Sequence, residues 1–209
     1  MKILLYGDSI TDASRIREEE YCPGAHGYGY ARMITNELMG TDPYKYQVLN
    51  RGISGNRITD LYARVKGDVW NHQPDVLSIL VGVNDVWHEI SHGDGTELDR
   101  FEKIYRALIE ETKERLPNIK ILLMEPFVTE GTATTPQMDR FSAVKEYAKV
   151  VKKLADEYGL FFLPLQEKME ACHEKFPEYC TSDGVHPHVA GAKVIADEWL
   201  KLFREKVDE

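Results

Sequence analysis

Four short segments of this 209-residue chain carry residue types that could do chemistry together. Ser9 lies in Gly7-Asp8-Ser9-Ile10-Thr11-Asp12, directly after an apolar run. A serine on a tight turn between strand and helix projects its hydroxyl from the edge of a sheet, with backbone N–H groups of the turn beside it. That is the placement of a nucleophile, although Asp8, Ser9 and Thr11 would also serve as helix-capping and Asx-turn residues. Near the other end, Asp183 and His186 stand three apart in Thr181-Ser182-Asp183-Gly184-Val185-His186-Pro187-His188. A carboxylate that accepts one imidazole N–H leaves the second ring nitrogen facing outward as a base; a histidine before proline also reads as a surface turn. Asn84, in Gly82-Val83-Asn84-Asp85, offers a primary amide, or is a plain turn residue. Gly52, in Asn50-Arg51-Gly52-Ile53-Ser54-Gly55-Asn56, lets backbone approach a ligand or a neighbouring strand with no Cβ in the way. Each segment alone has a structural explanation. A serine, a base with its orienter and amide donors, all at the ends of apolar runs, together form the equipment of acyl transfer through a serine.

The elements that must position them alternate. Short runs rich in Ile, Leu and Val predict strands at residues 2–6, 47–50, 76–81, 120–124 and 160–163, and longer periodic stretches predict helices at about 28–39, 58–71, 97–116, 138–158 and 188–206. The strands are apolar on both faces, as Val76-Leu77-Ser78-Ile79-Leu80-Val81 shows, so helices should cover both sides of a parallel sheet. The expectation is a three-layer α/β/α sandwich with a five-stranded parallel sheet, residues 1–209 forming one domain. Ligands of such sheets bind outside the carboxyl ends of the strands, where the four segments fall.

Composition narrows the partners. Twenty-six Lys and Arg against 35 Asp and Glu give a net charge of −9, with no basic cluster, so nucleic acid and anionic membrane are poor partners and a neutral small molecule or oligosaccharide fits better. Cys22, Cys172 and Cys180 include no CxxC pair and predict neither a disulfide framework nor a zinc site, leaving only a Cys172–Cys180 bridge open. The apolar start, residues 1–6, is too short for a signal peptide, and no window reaches the ~18 apolar residues of a membrane span. A cytoplasmic protein is expected, and a homo-oligomer is left open.

With these residues in view, the chain resembles the SGNH (or GDSL) hydrolase superfamily of serine esterases and lipases. The resemblance rests on Gly7-Asp8-Ser9-Ile10, Gly52, Gly82-Val83-Asn84-Asp85 and Asp183-Gly184-Val185-His186-Pro187, in that order, with Ile10 where the family's first block has Leu. It implies the flavodoxin-like SGNH hydrolase fold. It also implies Ser9 as nucleophile, His186 as general base and acid, Asp183 as the residue fixing the imidazole tautomer, and an oxyanion hole from the backbone N–H groups of Ser9 and Gly52 and the Asn84 amide. Asn50-Arg51-Gly52-Ile53-Ser54-Gly55-Asn56, Asp60-Leu61-Tyr62-Ala63-Arg64, Asn84-Asp85-Val86-Trp87 and Leu123-Met124-Glu125-Pro126-Phe127 are similar to the acetylxylan esterase branch. That implies hydrolysis of O-acetyl groups on xylo-oligosaccharides or related sugars, with no cofactor and no metal. Asp8 and Trp87 are candidate substrate-binding residues, Trp87 being equally readable as core. Tyr28, Tyr30 and Phe127 are further aromatic candidates for stacking on a sugar, or for the core.

Three other readings compete. A lipase, lysophospholipase or thioesterase would share the triad but needs a groove for a long acyl chain. A metal-dependent phosphoryl-transfer enzyme would gather Asp8, Asp12 and Asp85 around Mg²⁺ and leave Ser9 and the Asp183/His186 pair without a role. A zinc site at His88 and His92 is spaced i and i+4, but Ser91, Gly93 and Gly95 make that segment read as a loop with exposed histidines.

Overall fold

Residues 1–20 and 22–208 are described by a computed structural model. Five strands, β1 (Lys2–Gly7), β2 (Gln47–Gly52), β3 (Val76–Leu80), β4 (Lys120–Met124) and β5 (Phe161–Leu163), form one parallel sheet in the order β2-β1-β3-β4-β5. Their side chains are almost all buried, which is what near-continuous apolar runs covered on both faces produce. The helices are α1 (Ser9–Asp12), α2 (Tyr30–Thr41), α3 (Ile58–Asp68), α4 (Val83–His92), α5 (Leu98–Arg115), α6 (Met138–Phe141), α7 (Val144–Tyr158), α8 (Gln166–Lys175), α9 (Pro177–Cys180) and α10 (Val189–Lys206). The crossovers place α5 between α3 and α7 on one face and α2 against α10 on the other, completing the expected three-layer sandwich. Apolar residues at helical spacing drive this packing: Val144, Tyr147, Ala148, Val151, Leu154 and Ala155 on α7, and Ala192, Ile195, Ala196, Trp199 and Phe203 on α10. Trp199 stacks on Phe203 and donates its Nε1–H to Ser78 in β3 at 2.9 Å, tying the last helix to the centre of the sheet. No helix among the described residues is long and apolar enough to cross a membrane.

The structure departs from the sequence expectation in informative places. β2 runs two residues further than predicted, through Gly52, which pairs with Gly7 in β1. The helix predicted over 138–158 is broken at Ser142, whose hydroxyl donates to the Asp139 carbonyl at 2.6 Å and diverts the backbone into a tight turn. The segment carrying His88 and His92 is no loop but helix α4, closed by Gly93 in the left-handed region, with the two rings in edge contact at 6.1 Å. α8 and α9 were not expected at all; their charged sequence buries little beyond Met169, Cys172 and Cys180. Both cysteines carry free thiols.

Because β1 has β2 on one side and β3 on the other, the order of connection reverses at its end, where a crevice opens outside the carboxyl edge. The opposite edge is where the chain's ends lie. The Met1 amino group donates to the Lys45 carbonyl at 2.5 Å, and the Lys45 ammonium pairs with Asp208 at 2.9 Å.

At the carboxyl edge, Gly52 lies flat against α1. A Cβ there would sit 2.1 Å from the Asp12 nitrogen and 2.6 Å from the Thr11 carbonyl carbon, both backbone atoms that cannot turn aside. Overpacking of this kind costs about 1–3 kcal/mol, so Gly52→Ala is expected to melt several degrees below the wild type in thermal denaturation. An unchanged midpoint would show that β2 and α1 separate freely.

Candidate active site

The β1 strand ends at Gly7, and Asp8 caps the short helix that follows, its Oδ1 accepting the Ile10 N–H at 2.9 Å. Ser9 opens that helix and is half-buried at the rim. Its hydroxyl oxygen lies 2.8 Å from His186 Nε2, and His186 Nδ1 lies 2.5 Å from Asp183 Oδ2. The other Asp183 oxygen accepts the N–H groups of Val185 and His186 at 2.9 and 2.8 Å, which fixes the carboxylate to the same turn that carries the imidazole. The chemistry of the pair follows from these contacts. Burial alone would raise the Asp183 carboxyl, but the imidazole hydrogen bond and the two backbone donors outweigh it and hold the group at about 2. His186 is raised above the usual imidazole value, first by its hydrogen bond to Asp183, then against burial by the charges of Asp183 and Asp8. The arrangement can take a proton from Ser9 and stabilise the imidazolium that results.

Asn84 is buried on the first turn of α4 and donates its side-chain amide to the Asn56 carbonyl at 3.1 Å, which leaves its second N–H for another acceptor. The loop it meets, residues 53–57, follows β2. Here the expectation for Gly52 requires correction. Its N–H is held by Asn50 Oδ1 at 2.9 Å, and the residue is buried behind α1, so it cannot donate to a substrate. The glycine beside Asn56 is Gly55, with φ +83°, a conformation that suits glycine, and its N–H has no hydrogen-bond partner among the described residues. The resemblance put the oxyanion glycine at 52, but β2 runs through Gly52, and the first glycine of the loop that follows is Gly55.

Asp8 is also corrected. It is fully buried beneath the nucleophile turn, where burial pushes its carboxyl up to about 7, and it does not reach a substrate. Trp87 does border the site: one turn along α4 from Asn84, its ring lies 5.9 Å from the His186 ring and 5.6 Å from Phe141. Tyr30 and Phe127 are buried, the Tyr30 hydroxyl lying 2.8 Å from Thr11 Oγ1, while Tyr28 is 84% exposed. Beside Ser9 and His186 opens a cavity of about 340 Å³, lined also by Ser14, Tyr30 and Ser54, the Ser54 hydroxyl donating to Asp12 at 3.0 Å. The three acids of the metal reading are engaged separately: Asp8 by Ile10, Asp12 by Arg17 and Ser54, and Asp85 by the Ile58 N–H at 3.1 Å. Among the described residues no three His, Cys, Asp or Glu side chains gather as a metal-holding group.

Comparison with known proteins agrees with this geometry. The acetylxylan esterase of Geobacillus stearothermophilus is 38% identical over 96% of this chain and 92% of its own length. Its crystal structure superposes with a TM-score of 0.83. Three catalytic mutants of it have been solved, in which a serine, an aspartate or a histidine is replaced by alanine. These are the residue types that Ser9, Asp183 and His186 bring together here. A GDSL-like lipase from Parabacteroides merdae superposes with a TM-score of 0.89 at 38% identity, over 98% of this chain and 96% of that one. Thioesterase 1/protease 1/lysophospholipase L1 of Escherichia coli (strain K12) is 23% identical over 99% of this chain and 85% of that protein. Residues 5–194 match the GDSL-like lipase/acylhydrolase family throughout, and the chain belongs to that family.

Proposed function

We propose that the protein is a serine esterase that removes short acyl groups, foremost O-acetyl groups, from xylo-oligosaccharides or related sugars in the cytoplasm. The observation that carries this reading is the unbroken chain from Ser9 Oγ through the His186 ring to Asp183. Ser9 Oγ attacks the ester carbonyl while its proton passes to His186 Nε2. The oxyanion so formed is met by the backbone N–H groups of Ser9 and Gly55 and by the free N–H of the Asn84 amide. The sugar hydroxyl then leaves with the proton from His186, and water, activated by the same nitrogen, releases acetate from Ser9. The sugar ester is favoured by the similarity to the Geobacillus enzyme and by the small cavity beside Ser9. A thioester or lysophospholipid substrate is the second reading, favoured by the Escherichia coli relative.

Acetate release from acetylated xylo-oligosaccharides, with an aryl acetate assayed in parallel, tests both levels. Release that vanishes in Ser9→Ala is expected; cleavage of the aryl acetate alone would retain the triad and remove the sugar.

Losing one oxyanion donor costs roughly a hundred- to a thousandfold in turnover. Asn84→Ala should show that loss with its circular-dichroism spectrum unchanged, and a near wild-type rate would remove Asn84 from the hole.

The base works only when His186 is neutral, so kcat/KM should rise with pH through a midpoint above the ordinary imidazole value, because the Asp183 contact raises it. Asp183→Asn removes that cause. Its acid limb should shift to lower pH while the plateau falls by about 10⁴, and an unmoved limb would assign the titration to another group.

A further inference from the structure

The oxyanion donors come from three separate stretches of chain, the turn after β1, the loop after β2 and the start of α4, and hydrogen bonds to an oxyanion need donors within about 3 Å of one point. One side chain outside the triad touches two of those stretches directly and the third through one intermediary. Arg64, midway along α3, donates from Nη2 to the Gly7 carbonyl at 3.0 Å, from Nη1 to the Arg51 carbonyl at 3.0 Å, and from Nε to Asn56 Oδ1 at 2.7 Å. Gly7 directly precedes the Asp8-Ser9 turn. Arg51 precedes Gly52, and Asn56 follows Gly55 and receives the Asn84 amide on its own carbonyl. Asp68, one turn along α3, takes a further Nη1–H at 2.5 Å, so four of the five guanidinium N–H bonds have partners. The guanidinium carbon lies 4.4 Å from the centre of the Tyr6 ring in β1, and the side chain is only 17% exposed.

We propose that Arg64 is the positioning residue of the oxyanion hole, its planar fork setting the spacing between the Ser9 turn, the Gly55 N–H and the Asn84 amide. Its charge is matched by Asp68 and four of its five donors are spent on the protein, which makes it a positioning group and not a substrate-binding one. Lysine cannot replace it: an ammonium is a point of charge on a flexible stem, while the guanidinium holds its donors in one plane at fixed angles. A misplacement of about 1 Å in such a site costs on the order of a hundredfold. The proposal rests on the serine-esterase reading above.

The test is steady-state kinetics on an aryl acetate for Arg64→Met and Arg64→Lys, each alone and combined with Asn84→Ala, with thermal melts to confirm folding. Expected are kcat losses of roughly ten- to a hundredfold in both single variants, with KM little changed. The decisive readout is the factor that Asn84→Ala costs. If Arg64 aligns the hole, that factor shrinks from hundreds in the Arg64 protein to roughly ten or less in the Arg64→Met protein, because a displaced amide has little left to lose. An undiminished factor would overturn the proposal, leaving Arg64 a stabilising residue only, as would full kcat in Arg64→Lys. Should Arg64→Met fail to fold, Asn56→Ala, which cuts one arm of the fork, replaces it in the same cycle with the same criterion. Activity surviving in Ser9→Ala would strike the serine reading itself, an outcome separate from any of these.

Discussion

The Ser9 hydroxyl and the His186 ring meet at 2.8 Å across 177 residues of chain, and almost everything else in the molecule serves that encounter. A hydrogen bond of this length tolerates errors of only a few tenths of an ångström, so both partners must stand on elements that cannot drift. Ser9 follows β1, an interior strand held by β2 and β3 on its two sides. His186 sits just before α10, which packs against α2 and is pinned to β3 through Trp199 and Ser78. Sheet order and the final helix are thus read together at one atom pair.

The nucleophile turn is further secured by polar groups that no substrate reaches. Asn50 donates to the Thr11 and His26 carbonyls at 2.6 and 3.1 Å and accepts from Gly52, so one side chain knits the end of β2 to α1 and to the segment before α2. Asp85, buried in α4, accepts the first N–H of α3, while Asp60 closes the same helix end by accepting the Arg57 N–H at 2.8 Å. This joins the helix that carries Asn84 to the helix that carries Arg64. Burial pushes the Asp85 carboxyl up to about 7, as it does Asp8, so these links occupy an environment that disfavours charge.

The fold was legible because five apolar runs and the gaps between them leave one arrangement that buries both faces of every strand. The triad was legible because its three members lie at the ends of predicted elements, at spacings that need no long-range information. Gly52 and Gly55 show where this stops: the sequence holds both glycines in one turn, and only the strand ladder reveals that Gly52 is still paired with Gly7. Helix α4 was hidden differently. Val83, Val86, Trp87 and Ile90 fall at helical spacing, but the glycines and histidines around them drew attention to a loop. Arg64 could not be found from sequence, since its importance lies in carbonyls, and backbone acceptors look alike in any sequence. Asp8 illustrates the reverse, a residue next to Ser9 in the chain that is fully buried beneath the turn.

Met1 and Asp208 both meet Lys45, at the amino edge of the sheet where β1 and β2 begin. Six residues of extended strand, roughly 20 Å at 3.3 Å each, separate that edge from the catalytic rim. Changes around Lys45 therefore act a full strand's length from the crevice, and the Ser9–His186 contact does not depend on them.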